Sequence, residues 1–433
     1  MPPADDPIAR LLAGRYPDPE TGELLGAAAR SVAIEPTLDG REVELVAALD
    51  LGRRLAVISD ANTFDILGER VERALASRFA VQRLVVDRDV RVDAATIARV
   101  GSLLDAATDA IVAVGSGTLN DLCKMVALER GVPQVVFATA PSMNGYTSLS
   151  ASIIDGGFRR SIRAATPVGV FFDLAVVAAA PRRLVRAGLG DSLCRSTAQA
   201  DWLLAHLLLD RPYREAPFAL LAADEAALVV DPRGLVAGDL EVMRHLVRTL
   251  VLSGFGMTIC GGSFPASQGE HLIGHYIDMM RPDGVAEAFH GEQIAVCTVA
   301  MAELQDAMLA LDAPPVLAPT AIDRDAVIRH FGAIRGDACW REFEHKRLDG
   351  AATDAVNARL ARDWPAIRDR IARVTRGAAQ IRAALVAAGA PIEPADLNWP
   401  PALFADAFAH AREIRNRYTF LDLVGDRRMT DAT

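Results

Sequence analysis

At 433 residues the chain is long enough for two or three ordinary domains, and 51% hydrophobic with 24% charged residues is the composition of a folded globular protein rather than a disordered one. Its 46 basic against 56 acidic residues leave a net charge of -10, which excludes the basic stripe that a nucleic-acid backbone requires, so no nucleic-acid partner is expected. Only Lys124 and Lys346 are lysines, so Schiff-base or amine-base catalysis has few residues to draw on.

The N-terminus, MPPADDPIAR, is acidic and proline-rich and lacks the basic and apolar regions of a secretory signal, which predicts a cytoplasmic protein. From about residue 31 to 180, short β-branched runs alternate with amphipathic stretches: SVAI, RLAVISD (54–60), QRLVVD (82–87), AIVAVG (110–115), QVVFA (134–138) and VGVFFD (168–173). The alternation predicts a mostly parallel sheet covered by helices, a Rossmann-like α/β domain over residues 1–180. The first long strand ends at Asp60, whose carboxylate could accept from the ribose hydroxyls of a dinucleotide or cap the helix that follows. The strand AIVAV runs into Gly115-Ser116-Gly117-Thr118 and then a helix, so backbone N–H groups could approach a pyrophosphate there. Asn120 stands where the full fingerprint has its third glycine, and a tight turn without a ligand reads the same way.

The next loop, Thr139 to Ser148, gathers hydroxyls and the Asn144 amide at the carboxyl end of the sheet, where ligands of open α/β sheets sit; a merely polar loop is the other reading. Asp155-Gly156-Gly157, between two short alternating runs, predicts a hairpin inserted in the layer. The apolar stretch 168–180 is too short for a membrane span and carries Asp173, so no span is expected.

Beyond Pro181 the periodicity becomes helical, which predicts an all-helical domain over 181–433 and an active site in the cleft between the two domains. All eight histidines lie in this half. His271 and His275 share a helix face, and His290 opens the next helix, while the other five are isolated. Two imidazoles from adjacent helices plus one carboxylate would make a three-ligand metal site with an open position; surface or core histidines fit the spacing as well. The carboxylate candidate is Asp191, which after Gly188 and Gly190 could equally be a helix N-cap. Five scattered cysteines without a C-x-x-C pair encode neither a disulfide frame nor a cysteine zinc site.

Four segments, GSGTLNDLCKMVALERGVPQVVFATAPSMNGYTSLSASI, FRRSIRAATPVGVFFDLAVVAAAPRRLVRAGLGDSLCRSTAQADW, GEHLIGHYID and FHGEQ, together resemble the sn-glycerol-1-phosphate dehydrogenases, within the superfamily of iron-containing alcohol dehydrogenases and dehydroquinate synthases. The resemblance covers about residues 50 to 300. It implies that Gly115, Gly117, Thr118, Leu119, Asn120, Asp121, Thr139, Ser142 and Ser148 contact the dinucleotide, with Asp60 near the adenosine ribose, so that NAD(H) is favoured over NADP(H). It implies that Asp191, His271 and His290 hold one divalent metal, zinc favoured with nickel or iron as alternatives, and that Asn144, Asp191 and His275 touch substrate. Asp191, His271, His275 and His290 are then the catalytic set. Arg195 stands where iron-dependent alcohol dehydrogenases place a further histidine, which favours the three-ligand glycerol-phosphate type. The absence of G-G-K after Ser142 disfavours a dehydroquinate synthase.

The implied reaction is reversible, metal-dependent reduction of dihydroxyacetone phosphate to sn-glycerol 1-phosphate, in a homo-oligomer with no partner beyond a small phosphorylated substrate. Arg159, Arg160 and Arg195 are candidates for the phosphate. One departure stands out: the family usually has Asp where this chain has Asn144, which loses a charge and gains two donors. The same chemistry on a different phosphorylated or phosphonate ketone is therefore the alternative, and a non-catalytic binding protein is the alternative of another class.

Overall fold

A computed structural model describes residues 6–155 and 158–428, so Gly156 and Gly157 of the expected hairpin turn lie outside the described residues. Six strands form one parallel sheet: β1 (Ser31–Glu35), β2 (Arg54–Asp60), β3 (Ala80–Val86), β4 (Ala110–Gly115), β5 (Gln134–Ala138) and β8 (Gly169–Asp173), in the order β1-β8-β5-β4-β2-β3. Between β5 and β8, β6 (Ser150–Asp155) and β7 (Phe158–Arg163) pair with each other, antiparallel, as the expected hairpin. Every residue of β4, β5 and β8 is buried. Strands covered on both faces read as unbroken apolar runs, which is why AIVAV, VVFA and VFF show no alternation, whereas the edge strand β3 mixes exposed and covered positions.

The connection from β2 goes outward to β3 and then returns past β2 to β4, so the strand order reverses between β2 and β4. In open α/β sheets that reversal leaves a crevice at the carboxyl ends of the strands. Register sets Ser59 opposite Val114 and Gly115 opposite Ala138, which brings Asp60, Gly115 and Ala138 side by side at that edge.

The helices that bear on function are α1 (Gly117–Arg130), α2 (Arg182–Leu193), α3 (Arg195–Leu209), α4 (Ala216–Val230), α5 (Leu240–Ile259), α6 (Gly269–Met280) and α7 (His290–Leu309). The chain forms two compact units, one of residues up to 192, 215–263 and 387–389, the other of 193–214, 264–386 and 390 onward. In the first unit α5 packs against α4, against the helix Leu174–Ala178 and against β1. Helical periodicity places 216–259 in the helical half, yet these helices belong to the unit that holds the sheet. The cause is the composition of α5, which buries Leu246, Val247, Leu250, Val251 and Phe255 and so needs cover on most of its circumference.

The second unit is built on α3, α6, α7 and the helices that follow. Leu203, Leu204, Ile273, Ile277, Val296, Met301, Trp364 and Phe420 share its core. Past Asp173 the described residues form no strand, only an isolated bridge between Leu317 and Arg427, as the change of periodicity predicts. Among the described residues no helix is long and apolar enough to cross a membrane.

Candidate active site

At the sheet edge of the first unit, Asp60 caps the short helix after β2. Its Oδ1 accepts from Asn62 N and Thr63 N at 2.8 Å each, and Asp60 N donates to Thr63 Oγ1 at 3.0 Å. Neither cap bond uses Oδ2. Next to it, α1 starts at Gly117, and Ser116 makes no side-chain cap bond. The first helical hydrogen bond runs from Asn120 N to Ser116 O at 3.0 Å, so the amides of Gly117, Thr118 and Leu119 have no acceptor within the helix and present its positive end. Asn120 and Asp121 also bind the protein itself: Asn120 Oδ1 accepts from Gln134 Nε2 at 3.3 Å, and Asp121 Oδ2 accepts from Ser152 N at 2.9 Å, which ties the hairpin to α1.

The Thr139–Ser148 loop is far from a slack polar connection. Thr139 N donates to Gly115 O at 3.1 Å, Tyr146 Oη to Ala140 O at 2.7 Å and Thr147 Oγ1 to Val251 O at 2.6 Å. Lys124, on α1 and wholly buried, donates to Gly145 O at 2.6 Å, Ser148 O at 2.9 Å and Ser150 O at 3.0 Å. Burial pulls its ammonium down to about 8, against a smaller opposing pull from Asp121. Sequence reasoning missed this residue as part of the site; its rarity, as one of two lysines, was the available signal. Two helices close on the loop through glycines. A Cβ on Gly188 of α2 would fall inside Pro141 O, and one on Gly254 of α5 would collide with Thr147 Oγ1 and lie 2.8 Å from Asn144 O.

This closeness corrects the N-cap reading of Asp191. Gly188 and Gly190 do not turn the chain before a helix; they lie inside α2, which uses Gly188 to approach the loop, and Asp191 stands in its last turn. Asp191 is buried, and its Oδ2 accepts from Asn144 N at 2.7 Å. Asn144 Nδ2 is buried and has no hydrogen-bond partner, a donor that a ligand acceptor would satisfy.

In the second unit the three histidines converge. The ring of His271 lies 5.9 Å from that of His275 and 5.1 Å from that of His290, and the His275 and His290 rings are 6.2 Å apart. A helix face supplies the first pair, and the start of α7 supplies the third. Buried His271 places Nδ1 2.9 Å from Glu270 Oε1. Of the candidate phosphate partners, Arg195 donates to Gln199 on α3 at 2.5 Å, Arg160 is exposed on β7, and the Arg159 side chain lies outside the described residues. The five remaining histidines do not all stand alone: His330 and His410 stack at 3.7 Å, with Tyr276 Oη 2.7 Å from His330 Nε2 and Glu413 Oε1 2.8 Å from His410 Nδ1. Contacts between turns of different helices made that pair, and no sequence spacing announces them.

Comparison with known proteins places these features in company. Residues 33–181 match the profile of a family described as iron-containing alcohol dehydrogenase. The chain is 34% identical over 279 residues to a Pyrococcus furiosus protein named NAD(P)+ glycerol-1-phosphate dehydrogenase, covering 64% of this chain and 78% of that one. A Bacillus velezensis protein of the same name is 30% identical over 380 residues, 86% of this chain and 84% of its own. Among solved structures, sulfoacetaldehyde reductase from Bifidobacterium kashiwanohense in complex with NAD+ superimposes with a TM-score of 0.59 at 15% identity, covering 93% of this chain and 98% of that one, a likeness of fold.

Proposed function

Because the chain belongs to the glycerol-1-phosphate dehydrogenases among the iron-containing alcohol dehydrogenases, and is thereby an NAD(P)-dependent oxidoreductase, we propose that it reversibly reduces dihydroxyacetone phosphate to sn-glycerol 1-phosphate. The observation that carries this reading is the convergence of His271, His275 and His290 within one unit, a constellation with the chemistry of a metal-assisted carbonyl site.

Asp191, His271 and His290 would hold one divalent cation, zinc suiting two imidazoles and a carboxylate, with nickel or iron as alternatives. Such an ion supplies Lewis-acid polarisation of a carbonyl oxygen. The protein's own residues do the rest. The amides of Gly117, Thr118 and Leu119 bind the pyrophosphate at the start of α1, and Asp60 Oδ2 accepts from a ribose hydroxyl while repelling a 2′-phosphate. The loop pinned by Lys124, with Thr139, Ser142 and Ser148, shapes the nicotinamide side of the site. Asn144 Nδ2 donates to a substrate oxygen, and the Asn144 amide keeps Asp191 in place. Bound by these residues, NAD(P)H would supply the hydride that reduces the ketone carbon, and His275, directly or through a water that it orients, would hold the proton for the new hydroxyl oxygen, so that ketone, NAD(P)H and one proton give alcohol and NAD(P)+.

Asn144 favours one second reading, the same chemistry on another phosphorylated or phosphonate ketone, since its unpartnered amide donor selects an acceptor on the substrate. Oxidation of NADH by metal-replete protein against a panel of phosphorylated and phosphonate ketones decides between the two. Turnover fastest with dihydroxyacetone phosphate supports the first, turnover fastest with another member supports the second, and no turnover across the panel overturns both.

A further inference from the structure

Glu270 is fully buried at the start of α6, where every oxygen is engaged. Oε1 accepts from Gln268 N at 2.8 Å and sits 2.9 Å from His271 Nδ1, while Oε2 accepts from Thr197 Oγ1 at 3.1 Å. Thr197 is itself buried on α3, and its one hydroxyl proton is shared between Glu270 Oε2 and Cys194 O, the latter at 2.9 Å. Cys194 Sγ, a Glu270 oxygen and a His271 nitrogen lie within 4.8 Å of one another, so the cluster could be taken for a second metal site. The bonding argues otherwise. A carboxylate that already takes an amide, a hydroxyl and an imidazole has three of its roughly four acceptor sites filled, and Cys194 Sγ is directed at Ala266 O, 3.8 Å away.

The remaining role follows from the imidazole. A carboxylate oxygen that accepts from the imidazole puts the ring proton on His271 Nδ1 and makes Nε2 the nitrogen that can coordinate a cation. The same bond fixes the ring plane, since Glu270 is itself held by Gln268 N and the Thr197 hydroxyl. We infer that Glu270 is a positioning residue that sets the tautomer and orientation of His271 and thereby tightens its grip on a divalent cation. Thr197 acts behind it, holding the second oxygen. The inference rests on the reading of His271 as a metal ligand.

The test is the affinity of the metal-free full-length protein for Zn2+, measured by competition with a chromophoric chelator well below the unfolding temperature, beside NADH affinity. Glu270→Gln keeps the shape and loses the charge, and Glu270→Ala removes the carboxyl altogether. Outer partners of metal-bound histidines are typically worth 10–100-fold in affinity, so about tenfold weaker zinc binding is expected for Glu270→Gln and about 100-fold for Glu270→Ala. Thr197→Val should weaken zinc binding less than Glu270→Gln and in the same direction. NADH affinity should stay where it is. A purely structural role would lower the unfolding temperature of the metal-free variants and leave zinc affinity alone, so wild-type zinc affinity in Glu270→Gln overturns the inference. Wild-type protein that takes up no zinc at all overturns the metal reading beneath it and the inference with it, a result distinct from the first.

Discussion

At the scale of single residues, Asp60 carries two functions that substitution can separate. Its Oδ1 caps a helix, and loss of a cap costs about 1 kcal/mol, so Asp60→Ala would mix a stability effect with any change in cofactor choice. Asp60→Asn keeps a capping oxygen and removes the charge. The expected outcome is a narrowed gap between kcat/KM for NADH and for NADPH with little change in the unfolding midpoint; an unchanged ratio would leave Asp60 as a cap alone. Asn144 offers the converse experiment. Asn144→Asp keeps the backbone bond to Asp191 but puts a second carboxylate beside the first and removes the buried, unpartnered donor. A hydrogen bond made or lost at a reacting substrate is worth on the order of 1–3 kcal/mol, so kcat/KM for the ketone should shift by about tenfold or more while NADH affinity barely responds. A gain with dihydroxyacetone phosphate would mean that Asn144 tunes the site toward another substrate. An unchanged kcat/KM for every ketone would place Asn144 outside the site.

At the scale of elements, the Thr139–Ser148 loop owes its shape to what surrounds it more than to its own residues. α2 touches it at Gly188, α5 at Gly254, and Lys124 of α1 binds its carbonyls from beneath. Gly188→Ala should therefore act at a distance: the methyl meets backbone at Pro141, which cannot swing aside as a side chain would, so α2 or the loop must move. Overpacking of this kind costs about 1–3 kcal/mol, and the displaced Asn144 amide would lose Asp191, so turnover should fall more steeply than the urea midpoint suggests. A variant of wild-type turnover and stability would show that the close approach is dispensable. The same loop marks what a sequence discloses. Strand runs were legible because burial on both faces leaves a local imprint, and so were the three histidines, because two share a helix face and the third opens the next helix; the order of the strands in the sheet was not. Asp191 inside a helix, Lys124 under the loop and Glu270 beside His271 were not, since each owes its role to a neighbour brought up by tertiary packing. Glu270 shows this well: adjacent residues on a helix do not face each other, and only the first turn, where its carboxylate folds back to Gln268 N, lets it reach the next side chain.

At the scale of the whole molecule, the chain is not cut once but interleaved. The helices at 216–259 and a short return at 387–389 join the unit that carries the sheet, while 193–214 joins the other. Local pattern supports a single boundary near Pro181, because periodicity reports what an element is and not which core it enters. The candidate groups are nonetheless distributed over both units, with Asn144 and Asp191 in the first. Asp60, the amides at the start of α1 and the Thr139–Ser148 loop all belong to the first, and the three converging histidines belong to the second. Cofactor binding through backbone amides draws on no imidazole, so the two functions should come apart under mutation. His271→Ala and His290→Ala are expected to lose bound metal on elemental analysis and to lower kcat by on the order of 100-fold or more, the scale of several kcal/mol of Lewis-acid stabilisation. NADH affinity, read by titration of its fluorescence, should stay close to wild type in both. Metal retained at wild-type stoichiometry in both variants would remove the proposed ligands, and NADH affinity lost along with the metal would mean that the cofactor site depends on the histidine unit, against the division drawn from the fold.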